Sequence, residues 1–190
     1  DLWNAGRIDT DLLYHNLMEV YRYGNVADPR VYVDTFVNYN FNATNIRIAF
    51  ARLGAELARR GEKEKAVEVL DYGLEQMPVS QFQYTYQYLP YIRAYYEARA
   101  TEKGDALFDS YAKNLEEYVD YFLSFPDNRQ YLIENQFADK LTALAELHRI
   151  AENYGRTDRA ARILNLFDWL FGPEGQTDYT EYEQTVLPTE

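Results

Sequence analysis

The chain has 190 residues, with 19 basic against 31 acidic side chains and a net charge of −12. That balance argues against general nucleic-acid binding, which needs a basic footprint to release phosphate counterions, and against docking on anionic lipid. With no cysteine there is no disulfide, thiolate chemistry or cysteine zinc site, which suits an oxidising or a reducing compartment equally. A hydrophobic content of 47% and a mean hydropathy of −0.54 describe a soluble globular protein. The length suits one domain burying roughly two-thirds of its unfolded surface. No run approaches the roughly 18 apolar residues of a membrane span, and no basic-then-apolar leader is present. The chain begins at Asp1, so a processed form or a piece of a longer protein is expected.

Helical periodicity dominates. A first helix is expected from Thr10 to Tyr23, capped by Asp9 or Thr10 and stopped by Gly24, with Leu13, Leu17, Val20 and Tyr21 as its buried stripe. Residues 25–30, with an Asp-Pro step, read as a loop, and 31–41 as a short helical turn plus a connector. Two helices follow, from Ala43 to Arg60 and from Glu62 to Met77, the second opening on Glu62 and Glu64 where the macrodipole favours acids. After Pro78, residues 81–88 alternate polar and aromatic with a period of two, an extended pattern. Pro90 suits the first turn of a helix reaching Thr101. Another helix spans Asp105 to Phe125, with Leu107, Tyr111, Leu115, Tyr118 and Phe122 as its apolar face. A turn at 126–128, helices at 129–154 and 157–171, and an aperiodic acidic tail at 172–190 complete the reading.

Within this order, residues 47–78 resemble one tetratricopeptide helix-turn-helix unit. The spacing is carried by Phe50, Leu53, Gly54, Leu57, Gly61, Ala66, Leu70, Gly73 and Pro78. Small residues at 54, 66 and 73 let two antiparallel helices approach, and the large apolar ones fill the space between them. Gly61 permits the turn, and Pro78 ends the second helix. The last pair, residues 141–171, repeats the pattern with Leu144, Leu147, His148, Ala151, Gly155, Ala160, Leu164 and Phe167. The middle pair, residues 89–125, keeps only Tyr96 and Ala106, with a loop about two residues longer. The expected fold is therefore all-α: a tetratricopeptide-like α-α superhelix of about three hairpins over residues 1–171, with an N-terminal helix and a polar tail.

Catalytic motifs are thin: no nucleophile elbow, phosphate loop, dinucleotide fingerprint or zinc-protease helix occurs. His148 reads as a helix packing residue and His15 as a surface residue. Glu116, Glu117 and Asp120, like Asp9 and Asp11, read as solvated acidic faces, since paired carboxylates catalyse only where their pKa values are split. No catalytic residue, metal site or cofactor is assigned. Ligands of such repeats lie along the first helix of each pair, whose non-packing positions here include Ile48, Ala51, Arg52, Ala55 and Arg59. Ala51 and Ala55 stand where a carboxylate clamp needs Lys and Asn, so an apolar peptide groove is the remaining option. Nineteen tyrosines call for more than core filling. If 81–88 is extended, Phe82, Tyr84, Tyr86 and Tyr88 project to one side, with Tyr91, Tyr95 and Tyr96 following. These rings either pack across the helical layer or form an aromatic surface for a sugar or a partner's side chains. The candidate binding set is Phe82, Tyr84, Tyr86, Tyr88, Tyr91, Tyr95, Arg52 and Arg59.

A wider resemblance rests on Val31-Tyr-Val-Asp34, Ile46-Arg47, Phe50-Ala-Arg-Leu53, the run from Gly61 through Ala66 to Asp71-Tyr72, and Met77-Pro78. Ala94-Tyr95-Tyr96 and the segment from Tyr118 through Tyr121 to Ser124 extend it. Over Tyr32 to Ser124 the chain is similar to the soluble C-terminal region of a bacterial family of polytopic membrane proteins, glycosyltransferase-like and with a domain of unknown function. Thr35 departs from the Glu expected after Asp34. The resemblance implies an extracytoplasmic, periplasmic appendage whose catalytic residues lie in a membrane part outside this chain. The expected function is a non-catalytic interaction module with a protein or peptide partner. The alternatives are a carbohydrate- or peptide-binding module using the tyrosine surface, and a stand-alone cytosolic adaptor. No nucleic acid and no membrane insertion of this segment are expected.

Overall fold

The first helix, α1 (Thr10–His15), starts where Asp9 caps it, its carboxylate accepting from the Leu12 N–H at 3.0 Å. It does not run on to Tyr23. At Asn16–Val20 it widens into a π turn closed by the Tyr21 N–H on the Asn16 carbonyl at 2.8 Å. The wider turn rotates later side chains off the expected stripe, so Leu17 stays buried while Val20 and Tyr21 are about half exposed. Tyr23 replaces them, its hydroxyl donating to the Leu17 carbonyl and its ring lying 5.9 Å from that of Phe50. The computed structural model describes residues 6–34 and 43–186, with side chains throughout except at 127, 128, 131 and 173–186. Most of the connector expected at 31–41 lies outside the described residues.

The remaining helices are α2 (Thr44–Arg59), α3 (Lys63–Gln76), α4 (Tyr88–Glu97), α5 (Thr101–Leu123), α6 (Glu134–Asn153) and α7 (Thr157–Val186), with a 3₁₀ segment at Asp127–Leu132 before α6. No strand occurs among the described residues, so the chain is all-α there. Two compact units divide it, residues 1–108 and 109–190, the division falling within α5. In the first unit α2 packs against both α3 and α4, and α3 also touches α4. Its core holds Leu17, Phe50, Leu53, Leu57, Val69, Leu70, Met77, Phe82, Tyr91 and Tyr95. In the second unit α6 packs on α7, and α5 meets both through side chains.

Three helical turns share one geometry. Gly61, Arg99 and Gly155 all have positive φ, at 88°, 61° and 66°. After each, the next N–H closes a wide loop onto the preceding helix: Glu62 to the Leu57 carbonyl, Ala100 to Tyr95, Arg156 to Ala151, at 2.9, 2.9 and 2.7 Å. The second helix of each pair then starts two residues past the positive-φ position, at Lys63, Thr101 and Thr157. Counted from this turn, Phe50, Leu53 and Leu57 correspond to Tyr88, Tyr91 and Tyr95, and to Leu144, Leu147 and Ala151; all are buried.

This register corrects the middle pair. Its loop is no longer than the others, and Ala106, expected as a close-approach position, is exposed. Gly104 holds that place, where a Cβ would stand 2.6 Å from the Tyr96 ring. Arg99 hid the turn, because arginine rarely adopts a left-handed backbone. In the last pair Leu164 is 40% exposed and Ile163 is the buried residue instead. Past Phe171 the backbone breaks at Gly172 (φ 69°, ψ −178°) and then stays helical to Val186, where the sequence had suggested an aperiodic tail.

Candidate functional site

The aromatic ribbon expected at 81–88 is not extended. Residues 78–82 form a turn in which the Gln81 and Phe82 N–H groups both bond the Pro78 carbonyl. Residues 83–85 are irregular, 86–87 turn, and Tyr88 already belongs to α4. The rings therefore do not share one exposed side. Phe82, Tyr88, Tyr91 and Tyr95 are each at most 2% exposed, and only Tyr84 and Tyr86 are partly accessible. Turn formation wins because the local alternation meets a buried cation that draws the loop inward.

That cation is Arg47, 2% exposed near the start of α2. Its Nη2 donates to the carbonyls of Met77 and Phe82, both at 3.1 Å, and its Nη1 reaches that of Gln83 at 3.5 Å. The guanidinium also lies over the Tyr88 ring, 4.7 Å from its centroid, and 5.3 Å from that of Phe82. A planar cation with several donors can satisfy loop carbonyls and stack on aromatic rings at the same time. Burial pushes the Tyr91 phenol well above its ordinary range. Tyr95 is raised likewise by burial and by its hydrogen bond to Asp71, 2.8 Å away, which Lys103 also holds at 2.5 Å. These tyrosines are core, and their hydroxyls stay neutral at physiological pH.

Neither predicted arginine is an open anchor. Arg52 donates to the Gly6 carbonyl at 2.9 Å, tying the N-terminal segment to α2. Arg59 pairs with Glu56 at 2.6 Å, and Arg60 bonds the same carboxylate, which the two hold below the usual carboxylate range. Ala51, expected on the open face, is 1% exposed and belongs to the core, consistent with α2 packing on α4.

A different aromatic surface lies in the second unit. Along α5 and just past it, Tyr118, Tyr121 and Phe125 follow at helical spacing, with Tyr121 51% exposed. The Tyr121 ring meets Phe125 edge-on at 5.0 Å and Tyr118 at 5.9 Å. Tyr118 is pinned from α6 by its hydrogen bond to Gln136 at 2.9 Å, and Lys140 lies over its ring at 5.4 Å. Burial lowers the Lys140 pKa below the ordinary lysine range. Behind the ridge, Phe122 stacks on Phe137 at 3.7 Å, locking α5 to α6. On the sequence Tyr118 falls on the apolar face of its helix, and Tyr121 enters only through the resemblance and not as a binding residue; spacings of three and four residues were the available signal.

The carboxylates of α5 that are held in place serve packing. Asp109 and Glu116 make two-point pairs with Arg159 and Arg162 of α7, at 2.6–3.0 Å. His15 bonds Glu19 at the surface, and His148 sits part-buried on α6. Among the described residues no group of His, Asp and Glu is arranged to hold a metal ion. Comparison with protein-family models, curated proteins and solved structures finds no match to this chain.

Proposed function

We propose that the chain is a non-catalytic interaction module, built from three tetratricopeptide-like helical hairpins. One observation carries the reading: the same turn, with the same wide-loop hydrogen bond, recurs at residues 60–62, 98–100 and 154–156. Each turn is preceded by a helix with buried residues at matching positions. The packing of α2 on both the second helix of its own pair and the first helix of the next supports the same reading. Stacked hairpins of this kind bury their contacts between neighbours and leave extended outer faces for partners. The partner is a protein or peptide. A glycan surface made of Phe82, Tyr88, Tyr91 and Tyr95 is disfavoured by their burial.

The resemblance of residues 32–124 to the appendage of glycosyltransferase-like membrane proteins makes the periplasmic face of a bacterial membrane the proposed location, with catalysis in a separate membrane part. No described helix is long and apolar enough to cross a membrane. The reading frame upstream of Asp1 tests this. Several apolar spans there support the appendage. An initiation codon immediately before Asp1 with no leader overturns it in favour of the cytosolic adaptor.

A further inference from the structure

We infer that the ridge of Tyr118, Tyr121 and Phe125 docks an arginine-bearing segment of a partner protein. The inference rests on the reading of the chain as an interaction module and names the partner chemistry of that module. The ridge is presented on rigid elements. The Gln136 hydrogen bond and the Phe122–Phe137 stack hold its base, so little side-chain freedom remains to be lost on binding. Tyr121, half exposed, is the accessible ring.

The electrostatics select the occupant. Glu117 lies one helical turn before Tyr121, its side chain 63% exposed and its ion pair with Lys113 a loose 3.8 Å contact. Asp120 and, from α6, Asp139 are exposed and make no ion pair among the described residues. Asp139 is close enough to Tyr118 to help raise its phenol pKa. The acids earlier on α5, Asp109 and Glu116, are by contrast already matched by Arg159 and Arg162. Tyrosine faces beside loosely held carboxylates complement a guanidinium, which stacks on the ring and bonds the carboxylate in one plane. Lys140 already lies over the Tyr118 ring, which leaves the half-exposed Tyr121 ring for the partner's guanidinium. The net charge of −12 steers a cationic segment toward the chain.

The test is titration of the whole chain with a short synthetic peptide of alternating Arg and Gly, beside its Lys and Glu counterparts and a neutral oligosaccharide. The expected result is saturable binding of the Arg peptide, weaker binding of the Lys peptide, none of the Glu peptide, and loss of affinity with rising salt. Tyr121→Ala, an exposed position whose helical circular dichroism should match the parent, weakens Arg-peptide binding about tenfold. Asp139→Asn gives a smaller loss in the same direction, and Tyr121→Phe retains most of the affinity. Binding that is indifferent to Tyr121→Ala overturns this site while leaving the module reading intact. So does oligosaccharide binding that Tyr121→Ala abolishes in place of peptide binding. No saturable binding of the Arg peptide at low salt also overturns it.

Discussion

Gly54 on α2 faces Leu70 on α3 so closely that a Cβ on Gly54 would stand 2.7 Å from both Cγ and Cδ2 of Leu70. Leu70 is fully buried, so its branch point cannot swing away. Gly54→Ala gains about 1 kcal/mol of helix propensity but forces the helices apart, at a cost of about 1–3 kcal/mol. Net destabilisation of about 1 kcal/mol is expected in urea unfolding. In the Leu70→Ala background the same substitution should cost less, and a double-mutant cycle reads that coupling. Equal costs in both backgrounds would remove the close approach as the reason for glycine.

Arg99 occupies the turn position that Gly61 and Gly155 fill in the other hairpins, with φ at 61°. A non-glycine residue pays about 1–2 kcal/mol for left-handed backbone, partly offset by the greater unfolded-state freedom of glycine. Arg99→Gly is therefore expected to stabilise the chain by about 0.5–1 kcal/mol, seen as a higher denaturation midpoint at unchanged m-value. A lower midpoint would show that the exposed Arg99 side chain makes a contact outweighing the strain.

Arg47 holds the loop at 77–83 to α2 through three carbonyls and stacks on Tyr88. Lysine offers a point charge that cannot reach all three or stack as a plane, so Arg47→Lys should cost about 2–4 kcal/mol. Phe82 and Tyr88 should become more open, which hydrogen exchange at 77–88 would register before global unfolding. Wild-type exchange in that segment would show that the loop holds itself.

Glu56 accepts hydrogen bonds from Arg59 and Arg60, and these hold its pKa below the ordinary 4.5. A lowered folded-state pKa means that the pair's stabilisation is complete above the unfolded value and fades as pH falls through the folded one. Melting temperature should drop between pH 5 and pH 3, and Glu56→Gln should drop less over the same window. Parallel curves for the two proteins would assign the acid sensitivity to other carboxylates.

Much of the helical layout was legible along the chain. The 47–78 unit matched because a helical hairpin is specified locally, by small residues at the approach points, apolar residues at a fixed spacing and glycine at the turn. Asp9 was legible for the same reason, since a cap acts within one turn. What failed depended on groups far apart in sequence. The alternating run at 81–88 reads as extended on its own, yet a buried cation more than 30 residues earlier folds it into a turn against α2. For the tyrosines of α4 the sequence left packing and a binding surface both open, because tyrosine is amphipathic; the packing of α4 on α2 and α3 makes them core. The exposed ridge at Tyr121 escaped notice because accessibility is settled by how α6 packs beside α5. Local spacing and turn chemistry thus determined most of the helices and the first hairpin. Tertiary packing alone decided which aromatic rings were buried and which remain available to a partner, because burial belongs to the assembled neighbours and to no single segment.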